Sequence, residues 1–298
     1  MNKEELSALV SQILSEMDAA PQVKSGPYHP ENPGPQQREE GGSAEDVSAI
    51  DLRKLYLTTE PEKGEDYLKL KSRTPARLGM GRAGPRYKTL TQLRFRADHA
   101  AAQDAVFSQI PEDFAGPNGL VPVQTKCKDK EEYLTRPDFG RCFDEKNAQI
   151  IKKTVPTPPV VQIVVGDGLS SAAILANGLD CMAAITDGLK GKGISVGQPL
   201  FVRYCRVGAG DAIGDLTGCK LVCMLVGERP GLVTDKSMSA YLTYKPHTGV
   251  SESSRTVVSN IHSQGTPAVE AGAHIAELIE KILQKQVSGV GLHLENAL

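Results

Sequence analysis

Three glycine-flanked stretches hold the residues best placed for chemistry: Gly166-Asp167-Gly168, Arg206-Val207-Gly208 and the run from Gly227 through Glu228, Arg229 and Pro230 to Gly231. Each follows an apolar run, and ligands of parallel sheets sit where strands give way to such turns. Gly166-x-Gly168-x-x-Ser171 carries two of the three glycines of a dinucleotide-binding turn, and Gly208-x-Gly210 offers a second partial match with Gly214 one place too late. A nucleotide-dependent oxidoreductase is therefore one reading. The other is steric, since glycine turns after strands also serve close packing. No Walker sequence is present. His29, His99, His247, His262, His274 and His293 form no H-x-H or H-x-x-x-H pair, and Ser170, Ser171 and Ser259 lack a nucleophile elbow. The six cysteines contain no C-x-x-C pair and no zinc-type spacing, so no metal ligands are expected. Asp167, Asp187 and Glu228 are single carboxylates, as suited to fixing a loop as to moving a proton. No catalytic constellation is complete, which favours a binding or partner subunit over a self-sufficient enzyme.

The elements that must position these turns read as alternating strands and helices from about residue 111 onward. Val160–Val165 is a largely β-branched run, Leu200–Val207, Lys220–Val226 and Ala240–Tyr244 read as three further strands, and Pro267–Gln286 has the length and periodicity of a helix. Continuous apolar strands between helices predict an α/β domain over 111–298, a Rossmann-like, doubly wound and mostly parallel sheet. With no tryptophan and few other aromatics, its core must come from Val, Ile, Leu and Ala.

Upstream the pattern changes. Residues 50–110 read as a small helical docking module in which Lys69–Arg96 carries nine basic side chains and no acid. Such a segment asks for an anionic partner. Residues 19–49, with five prolines and four glycines up to Ala49, read as a disordered linker. Over residues 1–18, Leu6, Leu9, Val10, Ile13, Leu14 and Met17 recur at helical spacing between polar residues, which predicts an amphipathic helix capped by Asn2. A net charge of -2 gives no global pull toward nucleic acid or anionic membranes, and no secretory signal or bilayer-length apolar run is read. A soluble, intracellular protein is expected.

Several stretches together resemble the small subunits of ethanolamine ammonia-lyase. They are Ser72–Arg77, Gly81–Arg86, Leu93–His99, Tyr133–Asp138 with Gly140 and Arg141, Asp167–Ser170, Phe201–Tyr204, Val226–Leu232 and Ser259–His262. They occur in order across roughly residues 50–290. The resemblance implies a hetero-oligomer in which a TIM-barrel large subunit holds ethanolamine and the radical chemistry, converting it to acetaldehyde and ammonia in ethanolamine catabolism. This chain would then place a Rossmann-like wall against adenosylcobalamin, at the interface with the large subunit. The cofactor supplies the hard chemistry and the protein its placement. No D-x-H-x-x-G sequence is present, so the implied form is base-on, with the cofactor's own base below cobalt.

Val207, Glu228 and Val257 are the cofactor-binding positions that the resemblance carries over. Glu228 would accept from a side-chain amide of the corrin, while Val207 and Val257 would act through main-chain groups or packing. The rival for Glu228 is a salt bridge to Arg229 or another loop arginine, and for the valines it is strand packing. The basic segment would dock on an acidic face of the large subunit. Nucleic acid is disfavoured there because only Tyr87 and Phe95 interleave with the arginines. Residues 1–20 would address the enzyme to shell or cargo proteins of a bacterial microcompartment. Their polar face is acidic, which argues against a membrane surface.

Overall fold

The computed structural model describes residues 46–59 and 61–294. The helix expected over 1–18 and most of the linker over 19–49 lie outside them. Strands β1 (Arg82–Ala83) and β2 (Arg86–Tyr87) form a small hairpin, and six further strands make the central sheet. These are β3 (Val121–Gln124), β4 (Val161–Gly166), β5 (Leu200–Arg203), β6 (Leu221–Gly227), β7 (Met238–Tyr244) and β8 (Arg255–Ile261), in the spatial order β3-β5-β4-β6-β7-β8. The first four are mutually parallel, and β7 and β8 close the sheet antiparallel. The fold is thus α/β with a mostly parallel sheet.

The change of direction has a local cause. A parallel neighbour needs a crossover of a dozen or more residues, and the segments between β6 and β7 and between β7 and β8 are loops too short to build one. Helices cover both faces. Ile174, Cys181, Ile185 and Leu189 of α5 (Ser171–Gly191) and Ile275, Ile279 and Ile282 of α7 (Ala268–Lys285) pack with Ile163, Val165, Cys223, Leu225, Ala240 and Leu242 on one side. On the other, Ile151 of α4 (Glu145–Thr154) and Ala209 and Ile213 of α6 (Ala209–Thr217) meet Val164, Val202, Val222, Met224 and Val226. Alternation along a strand, two faces with one residue to each, explains the division. Helix α5 is long and apolar enough to cross a bilayer by composition. Here its apolar stripe is a core helix against the sheet and α7.

The expected strand Leu200–Val207 ends at Arg203. Tyr204 then takes a left-handed φ of 57°, and Arg206 to Gly208 turn into α6. Upstream, α1 (Gly64–Ser72) and α2 (Thr89–Phe107) frame a small core of Leu52, Leu57 and Met80, within the same compact unit as the sheet. A short helix, α3 (Lys130–Thr135), follows β3, and α8 (Val290–Leu294) ends the described chain.

Candidate functional site

Glu228 is the first residue beyond β6. Its backbone N–H donates to Ser237 O at 2.9 Å, which closes the base of the β6–β7 connection. The carboxylate is held by one oxygen only: Oε1 accepts from Ser239 Oγ at 2.7 Å and from the Asn260 backbone N–H at 2.9 Å. Among the described residues no donor reaches Oε2 and no arginine pairs with Glu228, so the salt-bridge alternative is not what the structure shows. A carboxylate anchored through one oxygen presents the other as a fixed acceptor.

The clamp behind it comes from Ser259–His262, a stretch in which sequence reading assigned no role to Asn260 or His262. Asn260 adopts a left-handed φ of 63°, tolerated by asparagine more readily than by most side chains. Its Oδ1 lies 2.8 Å from His262 Nε2, while the Gln264 N–H donates to His262 Nδ1 at 3.3 Å. With Nδ1 accepting, the proton belongs on Nε2, and the imidazole donates to Asn260. Gly265 completes the turn, because a Cβ there would lie 2.3 Å from Asn260 O.

Val257 lies on β8 opposite Tyr241 of β7 and is 48 % exposed. Tyr241 packs with the α6 side of the core, so Val257 belongs to the same face of the sheet as α6. Burial and the nearby Glu228 carboxylate both push the Tyr241 hydroxyl up. Val207 stands in the turn that opens α6, half-buried, its carbonyl accepting from Gly210 N–H at 3.0 Å. It is a turn residue and not a strand end. Val207, in the turn into α6, and Val257, on β8, thus lie on the α6 face of the sheet with three strands between β5 and β8, and Glu228 stands at the carboxyl end of the middle one, β6.

The glycine turn after β4 is closed by protein. A Cβ at Gly166 would meet Cys205 Sγ at 2.7 Å, one at Gly168 would meet Val226 Cγ1 at 2.6 Å, and one at Gly227 would meet Ser170 O at 2.1 Å. The Ser170 side chain caps α5 through Ala173 N at 3.0 Å and also donates to Asp235 O at 2.5 Å. The β6–β7 loop thus lies over the helix end that a pyrophosphate would need. The steric reading of these glycines holds. Asp167, 1 % exposed, accepts from Ser171 Oγ at 2.6 Å and lies 3.8 Å from Arg203 Nη1, and burial pushes its carboxyl up. Lys130, pushed down by burial, donates to Gly168 O at 3.1 Å. These groups brace the loop.

Much of the basic run Lys69–Arg96 is also engaged internally. Asp98 receives Arg77 at 2.7 Å and Arg94 at 2.9 Å, Arg94 reaches the carbonyls of Val47, Ser48 and Ile50, and Lys71 donates to Leu55 O at 2.8 Å. Arg73, Arg86 and Arg96 remain exposed. Buried Cys127, Cys181, Cys205, Cys219 and Cys223 are all pushed up by burial, Cys181 to about 12, so they stay thiols. Among the described residues no group of His, Cys, Asp and Glu could hold a metal ion.

Residues 64–293 match the family model of the ethanolamine ammonia-lyase light chain. The chain belongs to the ethanolamine ammonia-lyase light-chain family. It is 53 % identical over 294 residues to the ethanolamine ammonia-lyase small subunit of Clostridium perfringens, covering 98 % of this chain and 100 % of that one. The small subunit of Clostridioides difficile is 53 % identical over 292 residues, with the same coverage of 98 % and 100 %. That of Lachnoclostridium phytofermentans is 58 % identical over 247 residues, 83 % of each chain. A light chain of this family is one subunit of a carbon–nitrogen lyase, and a large subunit is its partner.

The residues fit an amide-rich cofactor. A carboxylate oxygen left without a donor beside the exposed Val257 suits a ligand whose rim carries amide N–H groups.

Proposed function

We propose that this chain forms one wall of the adenosylcobalamin site of ethanolamine ammonia-lyase, the large subunit forming the rest. The observation that carries the reading is the Glu228 carboxylate, anchored through Oε1 and open at Oε2 beside an uncovered sheet face. In this reading Glu228 accepts from a corrin amide, Val257 and Tyr241 give an apolar seat, and Val207 with Arg206 lines the opposite margin. The cofactor, bound base-on, supplies the radical chemistry that turns ethanolamine into acetaldehyde and ammonia. This chain binds, orients and excludes water from a Rossmann-like framework. One wall cannot enclose a ring of that size, so the isolated chain holds little cobalamin and has no lyase activity.

Residues 1–20 are, in the same proposal, a docking peptide for shell or cargo proteins of a bacterial microcompartment in the cytoplasm, in keeping with their apolar stripe and acidic polar face. The cofactor reading is tested by equilibrium dialysis of cobalamin against the chain alone, the large subunit alone and the reconstituted complex. Tight retention is expected in the complex only. Equal retention by the large subunit alone removes the wall from the account.

A further inference from the structure

The connection that begins at Glu228 carries two large apolar side chains into solvent, Leu232 at 43 % and Val233 at 60 % exposure. A mobile loop could fold such residues back; this one is pinned along its length. Arg77, itself bonded to Asp98, donates to Leu232 O. Gly231 N–H donates to Thr234 O at 3.1 Å, Lys236 N–H donates to Thr234 Oγ1 at 3.1 Å, Ser170 Oγ bonds Asp235 O and Asn177 bonds Lys236 O at 2.9 Å. The backbone is thus held in a shape that keeps Leu232 and Val233 outward, and an apolar pair held in water calls for a cover.

Leu232 also separates two depressions. One, of about 280 Å³, is lined by Arg53, Arg77 and Arg94 with Asp51, Asp98 and Val233; the other, of about 360 Å³, is lined by Phe95, Arg96 and His99. Together the linings hold four arginines against two aspartates, and both aspartates are already paired, Asp51 with Arg53 and Asp98 with Arg77 and Arg94. The knob is apolar at its tip and cationic around its base.

We infer that Leu232 and Val233 are the apolar anchor by which this chain docks on its large subunit, into a socket that is apolar at its centre and acidic at its rim. The inference rests on the cofactor reading of Glu228, because it is the same rigid loop that connects the two: a partner that closes the cobalamin site over Glu228 arrives four residues from Leu232. Central apolar anchors with a charged surround are the usual anatomy of such contacts. The basic segment then has a two-part role, with Arg77 and Arg94 building the knob and Arg96 steering the partner.

The test is the affinity of full-length chain for large subunit, measured by sedimentation at low and physiological salt. The variant Leu232→Asp/Val233→Asp is compared with Val290→Asp, a 54 % exposed valine beyond the opposite end of β6 and β7. Because both target side chains are exposed, the double variant is expected to keep the wild-type melting temperature. It should bind the large subunit at least about 100-fold more weakly, each lost apolar burial being worth about a tenfold factor or more. Val290→Asp should stay within about twofold, and Arg96→Glu should weaken assembly more at low salt than at high. Assembly of the double variant within about threefold of wild type overturns the inference. So does loss of a homodimer of this chain with large-subunit binding unchanged, which would make a second copy the occupant. If the wild-type complex assembles but retains no cobalamin, the cofactor reading fails instead, whatever the double variant does.

Discussion

The parallel and antiparallel halves of the sheet end differently, although they share one core. At the carboxyl ends of β4 and β5, where an α/β sheet conventionally receives its ligand, the space is filled. Glycines at 166, 168 and 227 admit Cys205, Val226 and Ser170 at contact distance, and Asp167, Lys130 and Arg203 brace what remains. On β7 and β8, outside the cover of α6, Val257 stands exposed, and Glu228 turns one carboxylate oxygen outward. The exposed part of the sheet thus lies at the antiparallel margin and not at the glycine turn, and it is this margin that we propose as the cobalamin wall. A glycine-rich strand end marks close approach of backbone, and the approaching group can be the protein itself.

Substitutions can break this contrast, beginning with the filled half. Gly227→Val places a branched side chain against the Ser170 carbonyl, where even a Cβ would lie 2.1 Å away. Since backbone must shift on both sides, a loss of about 3 kcal/mol or more is expected in urea unfolding. A Gly227 variant of wild-type stability would show that the turn has room for a ligand after all.

Asp167 gives a smaller effect that depends on pH. Burial raises its folded-state carboxyl above the unfolded value, so the folded chain binds the proton more tightly. Its stabilising contribution is complete at low pH and is lost as pH rises through the raised folded value. Asp167→Asn, which keeps an acceptor for Ser171, should therefore gain on wild type as pH goes from about 4 to about 7, within the ~0.5–3 kcal/mol of ordinary substitutions. Parallel stability profiles for the two proteins would mean that Asp167 is ionised in the folded state, as in the unfolded chain. In the open half, Ser239→Ala removes one of two bonds to Glu228 Oε1 while Asn260 keeps the other. Cobalamin affinity of the complex should fall by about 1 kcal/mol with the melting temperature nearly unchanged, and an unchanged affinity would show that Asn260 alone positions the carboxylate.

The filled half was the more legible in sequence. Val161–Gly166, apolar but for Gln162, and Leu221–Gly227, apolar throughout, are buried on both faces, and such runs announce themselves. Strand β8 escaped because Val257, Ser259 and Asn260 are exposed and only Val258 and Ile261 reach the core on its other side, too few apolar residues to mark an edge strand. The direction of β7 escaped because only the shortness of the connection from Gly227 to Met238 reveals it. Strand β5 was read four residues too long because Tyr204 and Cys205 are as apolar as a strand, while a left-handed backbone at Tyr204 leaves no mark in composition. Of the site, Val207 and Glu228 stood in glycine-flanked turns that the sequence itself singles out, while their role toward a cofactor, and Val257 altogether, came from family resemblance. The Asn260–His262 clamp behind Glu228 was invisible, since its partners join across two strands and a turn.

The open face has its sharpest test in Glu228→Gln. Glutamine keeps Oε1 as acceptor for Ser239 and Asn260 and replaces only the outward oxygen by an amide N–H, so the fold and the loop are left intact while the proposed contact is reversed from acceptor to donor. Cobalamin affinity should be measured by equilibrium dialysis on complexes shown by sedimentation to be fully assembled. A loss of about 1–3 kcal/mol, roughly five- to 150-fold, is expected with assembly and melting temperature unchanged. An affinity equal to wild type in the assembled complex would contradict the account, returning Glu228 to the role of a loop brace.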